Sequence, residues 1–425
     1  RLLAMVRRAR RPQPAPLPAS KLPLFLASYQ GVTEKGTTLE DLQQRLEQLF
    51  GYVTYANLWE EVILPARMET YFSAWLDSLL QASDLIWFGC GQKRIGFCFQ
   101  DDLELFHVPE DAEGEKKAAA VKALFPDPRG RYDFLALSRF SSLATEELAQ
   151  KLWQYVWQGL IANDSFAVLR SGLLNKFKPA PPETGRRRFG RRGGFNRWAA
   201  TRPLQGSWFL LPQKVEKEER DAVEQEELIK DRIRQLLLRY GVLFRELLQQ
   251  ELPHMQWRSI FRTLRLMEFS GEVYAGHFIQ GLSGLQFAGP EAYRQLQAAL
   301  DEDSIFWLNA ADPASPCGLK VPGLDEDLPP RAPTSYLVFH GSRLKVVARR
   351  NGKSLLIKTE PDDPALPAYL AFFKTLLTRD FNPVRSIRVE TINGKPALSS
   401  PYKKALQEAG FTEQYRCLEL RRAYW

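Results

Sequence analysis

Gln256-Trp257-Arg258-Ser259-Ile260-Phe261-Arg262-Thr263-Leu264-Arg265-Leu266-Met267-Glu268-Phe269, followed by Ser270-Gly271-Glu272-Val273-Tyr274-Ala275-Gly276-His277-Phe278, is the stretch on which the reading of the fold turns. Trp257, Ile260, Phe261, Leu264 and Met267 recur at helical spacing and predict one apolar stripe. Arg258, Arg262 and Arg265 stand at i, i+4 and i+7 and share a different face of the same helix. Ser270-Gly271 is a stop signal, after which Gly271 to Phe278 reads as a short strand turning at Ala275-Gly276. Helix, stop and glycine-punctuated hairpin make up the C-terminal half of a winged helix, where one helix is pinned to a core and offers cations to a phosphate backbone. The plain alternative is an amphipathic surface helix with solvated arginines. The rest of the chain weighs between the two.

With 425 residues the chain exceeds what one small core organises, so several domains are expected. Its 44% hydrophobic and 25% charged content are those of a globular protein, and no apolar run approaches the length of a bilayer span. The start, Arg1-Leu2-Leu3-Ala4-Met5-Val6-Arg7-Arg8, has no initiator methionine and too short an apolar core for a signal peptide, and reads as the cut edge of a larger protein. Cys90, Cys98, Cys317 and Cys417 show neither metal-ligand spacing nor a disulfide framework, so reduced thiols and a cytoplasmic setting are expected. A net charge of +8 favours a polyanionic partner, provided the charge is clustered.

Taken in order, residues 1–20 read as a basic connector, and 21–128 as a winged-helix region. Helices are expected over Leu22 to Tyr29, from the cap Thr38-Leu39-Glu40-Asp41, and over Glu60 to Tyr71 and Ser73 to Leu80. A hairpin is expected over 85–99, with Gly89-Cys90-Gly91-Gln92-Lys93 as its turn. Residues 129–178 repeat the plan: a helix from Thr145 carrying Leu148, Leu152, Tyr155 and Val156, a stop near Gly159, then strands Leu160–Ala162 and Phe166–Leu169 about the turn Asn163-Asp164-Ser165. Residues 207–300 form the third copy, with Ile229, Ile233, Leu236, Leu237 and Leu238 as the apolar positions of its opening helix and a further helix after Pro290. Helix, stop and hairpin thus recur without a strict period, which is tandem winged helices rather than a solenoid.

Between the second and third copies, residues 179–206 read as an arginine-rich linker. Residues 181 to 202 hold seven arginines against one acid, Glu183. Arg186, Arg187, Arg188, Arg191, Arg192 and Arg197 can neutralise phosphates, while Trp198, with Phe189 and Phe195, can stack on unpaired bases. A solvated linker is the alternative. From Ser304 the texture becomes strand-like: Ile305–Leu308, Tyr336–Phe339, Leu344–Ala348 and Leu355–Ile357 predict a small β-barrel or twisted sheet over 301–360. Residues 361–425 alternate helix and strand and predict a C-terminal α/β segment packed on the barrel. The expected class is therefore α+β.

Several chemistries find no support. Asn351-Gly352-Lys353-Ser354 ends like a phosphate loop but has Ala348 where the first glycine belongs, and reads as a hairpin turn. His107, His254, His277 and His340 are scattered, so no metal is expected. There is no nucleophile elbow and no H-E-x-x-H helix. Asp101-Asp102 and Glu104 read as solvated loop charge.

Six short pieces, in this order, carry a resemblance. They are Glu60-Glu61-Val62-Ile63-Leu64-Pro65-Ala66-Arg67, Ala162-Asn163-Asp164-Ser165-Phe166-Ala167-Val168-Leu169-Arg170, Arg239-Tyr240-Gly241-Val242-Leu243-Phe244-Arg245-Glu246-Leu247, Gly271 to Phe278, Asn309-Ala310-Ala311-Asp312-Pro313 and Ile392-Asn393-Gly394-Lys395-Pro396-Ala397. From roughly Leu22 to Leu420 the chain resembles the C-terminal domain of the large helicase-related (Lhr) family of bacterial DNA repair helicases. The resemblance implies winged helices plus a β-barrel, similar in architecture to AlkZ-type DNA glycosylases. It also implies an upstream ATP-dependent 3′-to-5′ helicase core in the same polypeptide, no cofactor in this chain, and single-stranded or unwound DNA as partner. Uracil-DNA glycosylase activity, a hydrolase reaction, is the enzymatic function it implies.

AlkZ-type enzymes place a Gln-x-Gln or Gln-x-Asp motif after a Leu-Gly turn. The matching stretch here, Leu49-Phe50-Gly51-Tyr52-Val53-Thr54-Tyr55, holds no glutamine or carboxylate to activate water or steady an oxocarbenium ion. Excision chemistry would need another carboxylate, and Glu60, Glu61, Asp164 and Glu419 are the ones available; the sequence does not choose among them. The alternative function is a non-catalytic DNA clamp or homo-oligomerisation scaffold for the helicase motor.

Overall fold

Three times in this chain an amphipathic helix is followed by a short strand, and each time the strands assemble in the same order. The computed structural model describes residues 15–107, 119–177, 205–212 and 221–422. Three three-stranded antiparallel sheets have their first strand bonded to their third and the third to the second. The first comprises Thr54–Tyr55, Leu85–Gly89 and Arg94–Phe99. The second comprises Tyr132–Asp133, Ile161–Asn163 and Ser207–Leu210, and the third Val242–Leu243, Tyr274–Gly276 and Gln286–Ala288. In every copy helical segments lie between the first and second strands, the last of them a helix of ten or more residues, which is the winged-helix plan. The fold is mixed helix and sheet with winged-helix domains.

The chain divides into two compact units. One holds Phe50–Trp59 and Phe72–Val223. Its core is a run of aromatic rings: Trp59 packs edge-on against Phe97 at 4.8 Å, Phe97 stacks on Phe166 at 5.5 Å, and Phe166 meets Trp87 edge-on at 6.2 Å. The four rings are fully buried, and such pairs add to their area burial because ring edge and ring face carry opposite partial charge. Gly89 permits the approach of the Thr145–Trp157 helix, since a Cβ there would stand 1.8 Å from the Val156 carbonyl oxygen.

Two expectations are corrected in this unit. Phe166–Leu169 is not a strand but the start of a helix, Phe166–Leu174. The run of four apolar residues is ambiguous in itself; the Asn163 side-chain oxygen accepts the Ser165 N–H at 2.8 Å and turns the chain into the helix. The strand partner of Ile161–Asn163 is instead Ser207–Leu210. In sequence, the expected linker 179–206 falls between the two paired strands Ile161–Asn163 and Ser207–Leu210, and residues 178–204 lie outside the described residues. Arg186, Arg187, Arg188, Arg191, Arg192, Arg197 and Trp198 fall outside the described residues.

The other unit holds Arg1–Leu49, Glu60–Tyr71 and Glu224–Trp425. Thr38 caps the Leu39–Gln48 helix reciprocally: its hydroxyl accepts the Asp41 N–H, and the Asp41 carboxylate accepts the Thr38 N–H at 3.0 Å. The helix expected over Glu60 to Tyr71 ends earlier, at Arg67, after a π turn at Trp59–Ile63. Arg67 is wholly buried and forks onto Asp312 at 2.8 and 2.9 Å, with the Gln30 side-chain oxygen and the Ile63 carbonyl taking further N–H groups. A buried charge needs such pairing, and here only Nε goes without a partner. In the Ala222–Tyr240 helix the inward positions are Leu228, Ile233, Leu236, Leu237 and Tyr240; Leu238, expected inside, is 49% exposed.

Beyond the third winged helix, six strands form a mixed sheet in the order Ile305–Asn309, Tyr336–His340, Arg343–Arg349, Ser354–Ile357, Thr391–Ile392, Lys395–Pro396. The first and last do not pair, so among the described residues there is a sheet and no closed barrel. Asn351-Gly352 is a connection between strands, with Gly352 at φ +90°, and Asn393-Gly394 turns the last hairpin with both residues left-handed. A second sheet of Ser386–Val389, Cys417–Arg421 and Thr412–Gln414 completes the C-terminal segment with the helices Leu366–Leu370, Phe372–Thr378 and Lys403–Glu408. No described helix is long and apolar enough to cross a membrane.

Candidate nucleic-acid interface

The Trp257–Ser270 helix buries Ile260, Thr263, Leu264, Met267 and Glu268 and ends on Gly271 in the left-handed region at φ +84°. Trp257 and Phe261 lean on Phe287 of the wing, with ring centroids 5.9 and 6.1 Å away. The strand that follows is Tyr274–Gly276, and it pairs with Gln286–Ala288; the chain therefore turns beyond Gly276, and not at Ala275-Gly276 as expected. Gln286, fully buried, holds this longer wing by accepting the N–H groups of Phe278 and Ile279 at 2.9 and 2.7 Å.

The outward face separates the three arginines. Arg258 and Arg262 are exposed and have no acidic partner among the described residues. Arg265 is half-buried, ion-paired to Glu268 and laid over the Phe269 ring at 5.3 Å. Phe269 itself is 68% exposed, covered only by that guanidinium, which is costly for an aromatic. Two free guanidiniums and an exposed ring on one helix face can meet a phosphate backbone and an unstacked base.

The corresponding helices of the other two modules differ. In Ser73–Ala82 the exposed positions are Ala74, Ser78, Gln81 and Ala82, and Asp77 receives the Arg170 guanidinium at 2.7 Å. In Thr145–Trp157 the exposed positions include Glu146, Glu147, Gln150 and Gln154, and the cation there, Lys151, is paired with Glu147 at 2.8 Å. Neither face suits a polyanion.

The four candidate carboxylates are not brought together. Glu60 is buried at 1% exposure and accepts the Tyr71 hydroxyl at 2.6 Å. Glu61 is tied to Arg379 at 3.3 Å and to the Asn382 amide at 2.8 Å. Glu419 is gripped by Arg388 at 2.8 Å and Arg421 at 2.7 Å, and these guanidiniums hold its carboxyl down at about 2. A group so held is a poor proton acceptor at neutral pH. Asp164 differs: half-buried, it accepts the Ser207 N–H with one oxygen at 2.7 Å and lines an open cleft of about 620 Å³. Among the described residues no cluster of three or more His, Cys, Asp or Glu side chains could hold a metal ion, and all four cysteines are free.

Phe269 is legible in the sequence as the residue four after Arg265, yet periodicity alone does not say which face is covered. Arg131 and Phe209, stacked at 4.3 Å on the wall of the Asp164 cleft, carry no local signal, because 78 residues separate them.

Residues 17–100 and residues 222–306 each match a model described as "Large helicase-related protein, winged-helix domain". The chain is 28% identical over 440 residues to the "Lhr helicase/uracil glycosylase" of Escherichia coli (strain K12), covering 93% of this chain and 27% of that protein. It is 29% identical over 449 residues to the "Lhr helicase/ probable uracil glycosylase" of Mycolicibacterium smegmatis, covering 97% of this chain and 29% of that protein. The chain thus spans less than a third of the length of either relative. Among solved structures, Streptomyces sahachiroi DNA glycosylase AlkZ superposes with a TM-score of 0.46 at 13% identity, over 89% of this chain and 100% of that chain. Two winged-helix domains of the large helicase-related (Lhr) type thus match within this chain, and it is similar along nearly its whole length to two Lhr proteins.

Proposed function

We propose that this chain is a DNA-gripping module of an Lhr-type repair helicase polypeptide, and that it removes uracil from DNA held in an unpaired or unwound state. The observation that carries the first part is the face of the Trp257–Ser270 helix, where Arg258 and Arg262 are exposed without acidic partners beside the exposed Phe269 ring. Of the three helices that occupy the nucleic-acid-facing position in a winged helix, this one alone among the described residues presents unpaired cations. The arginines from Arg186 to Arg197 and Trp198 enter the same reading, as phosphate and base contacts supplied by the arginine-rich segment. The helicase core belongs to the same polypeptide in this reading, in keeping with the names of the two relatives. Those names also support the excision step.

The test compares the chain with the Arg258→Ala/Arg262→Ala double variant and with Lys151→Ala in fluorescence-anisotropy titrations of a labelled single-stranded oligonucleotide. The double variant is expected to bind about tenfold or more weakly, since each lost charged contact is worth roughly 1 kcal/mol or more. Lys151→Ala, whose ammonium is already paired, is expected to bind like the unaltered chain. Equal affinities for all three proteins would move the grip away from the third module.

The second reading is a DNA clamp without chemistry. It is favoured by Leu49 to Tyr55, where the glutamine and carboxylate positions of AlkZ-type enzymes are apolar, glycine, threonine or tyrosine.

A further inference from the structure

We infer that the cleft beside Asn163 and Asp164 receives the extruded pyrimidine base, and that Asp164 is the carboxylate that activates water there; this rests on the uracil-excision reading above. The cleft lies wholly within the unit formed by Phe50–Trp59 and Phe72–Val223, and its volume of about 620 Å³ admits a nucleobase with its sugar. Asn163, at 1% exposure, lines it with an amide whose orientation is set: the side-chain oxygen accepts the Ser165 N–H at 2.8 Å, which leaves the amide nitrogen as a buried donor without a partner. A buried donor left unpaired costs about 1–3 kcal/mol, a cost recovered when a ligand carbonyl occupies the site. Gly206 fits the same design. It sits at φ +80°, and a Cβ there would stand 2.4 Å from the Asn163 side-chain oxygen and 2.7 Å from an Asp164 carboxylate oxygen.

The opposite wall is the Phe209 ring with the Arg131 guanidinium over it at 4.3 Å. Next to it, and sharing Arg131 and Phe209, is a second hollow of about 410 Å³ to which Lys122 and Arg129 contribute exposed cations. A polar pocket lined by two aspartates, the exposed Asp84 and the half-buried Asp164 beside the Asn163 amide, next to a cationic hollow, matches an extruded nucleotide: base in the first, flanking phosphates in the second. Glu60, Glu61 and Glu419 are each held by hydrogen bonds or ion pairs outside any such cleft, whereas the second Asp164 oxygen faces no partner among the described residues.

The step balances with water as the co-reactant. The C1′–N1 bond breaks and its electron pair leaves with the base, where it spreads onto O2 and is met by the Asn163 amide N–H. Water oxygen bonds to C1′, its proton passes to the Asp164 carboxylate, and that proton is then released to the departing base. The products are free uracil and an abasic sugar.

The experiment uses the full chain and a 5′-labelled single-stranded oligonucleotide with one deoxyuridine, followed by alkaline cleavage under single-turnover conditions, with anisotropy on the same oligonucleotide. Asp164→Asn, which keeps an acceptor for the Ser207 N–H, is expected to lose about 100-fold or more in excision rate while its affinity stays within about twofold. Arg131→Gln, at an exposed position, is expected to need several-fold more enzyme for half-maximal rate. Full-rate excision by Asp164→Asn overturns the inference and leaves the excision reading intact. Binding without excision by the unaltered chain overturns the inference together with the excision reading but leaves the DNA grip, and absence of binding overturns all three.

Discussion

Arg67 and Asp312 are 245 residues apart in sequence and share one fully buried ion pair. Both belong to short pieces through which the chain resembles its relatives, so the resemblance follows an ion pair that closes a core. Taking two charges out of water is repaid only by extensive hydrogen bonding, and here Gln30 and the Ile63 carbonyl join Asp312 in satisfying both terminal guanidinium nitrogens, while Nε is left unpaired. Replacing Asp312 by alanine strands the guanidinium, and a loss of about 3–5 kcal/mol is expected in urea unfolding; a loss below about 1 kcal/mol would show that water reaches the site. Glu419 gives a pH signature. Its carboxyl is held at about 2 by Arg388 and Arg421, below its ordinary value of 4.5. The stabilisation this brings is present in full above the unfolded value and is lost as pH falls toward the folded one. The melting-temperature gap between the protein and Glu419→Gln should therefore be constant from pH 7 to about pH 5 and close below about pH 4. A gap that widens in acid would contradict it.

At the scale of elements, what a few neighbouring residues decide was open to reading from sequence. The Leu22–Tyr29 helix, the Thr38 cap and the hairpin of Leu85–Gly89 with Arg94–Phe99 stand where apolar spacing and turn residues put them. The cap is testable alone: Thr38→Ala removes the acceptor for the Asp41 N–H and should cost about 1 kcal/mol in thermal or urea unfolding. No change would mean that the first turn is held by packing. What depended on a distant partner was not legible. Phe166–Leu169 is apolar enough for a strand; the turn at Asn163 starts it as a helix, and the pairing of Ile161–Asn163 with Ser207–Leu210 fills the strand position it would have taken. In the third module Tyr274–Gly276 finds its partner ten or more residues on, so the glycine at 276 marks a strand end and not the turn.

For the molecule as a whole, three winged helices do not mean three equal grips on a polyanion. The plan repeats, yet the outward helix carries a single, paired acid in the first module, is acid-rich in the second and cationic in the third. Module repetition was visible in the sequence because each copy ends a helix on a polar or glycine stop. The difference between copies needed side-chain partners: Lys151 and Arg170 count as cations in the composition but are spent on Glu147 and Asp77. The candidate cleft is still less legible, since Arg131, Asn163 and Phe209 meet only when the second sheet closes. The claim that most needs testing is that the Trp257–Ser270 helix lies against the DNA backbone. The measurement is the slope of log Kd against log salt for a single-stranded oligonucleotide, for the chain and for Arg258→Ala/Arg262→Ala. Two phosphate contacts removed should flatten the slope by about 1.4. An unchanged slope would place that helix away from the DNA and contradict the account.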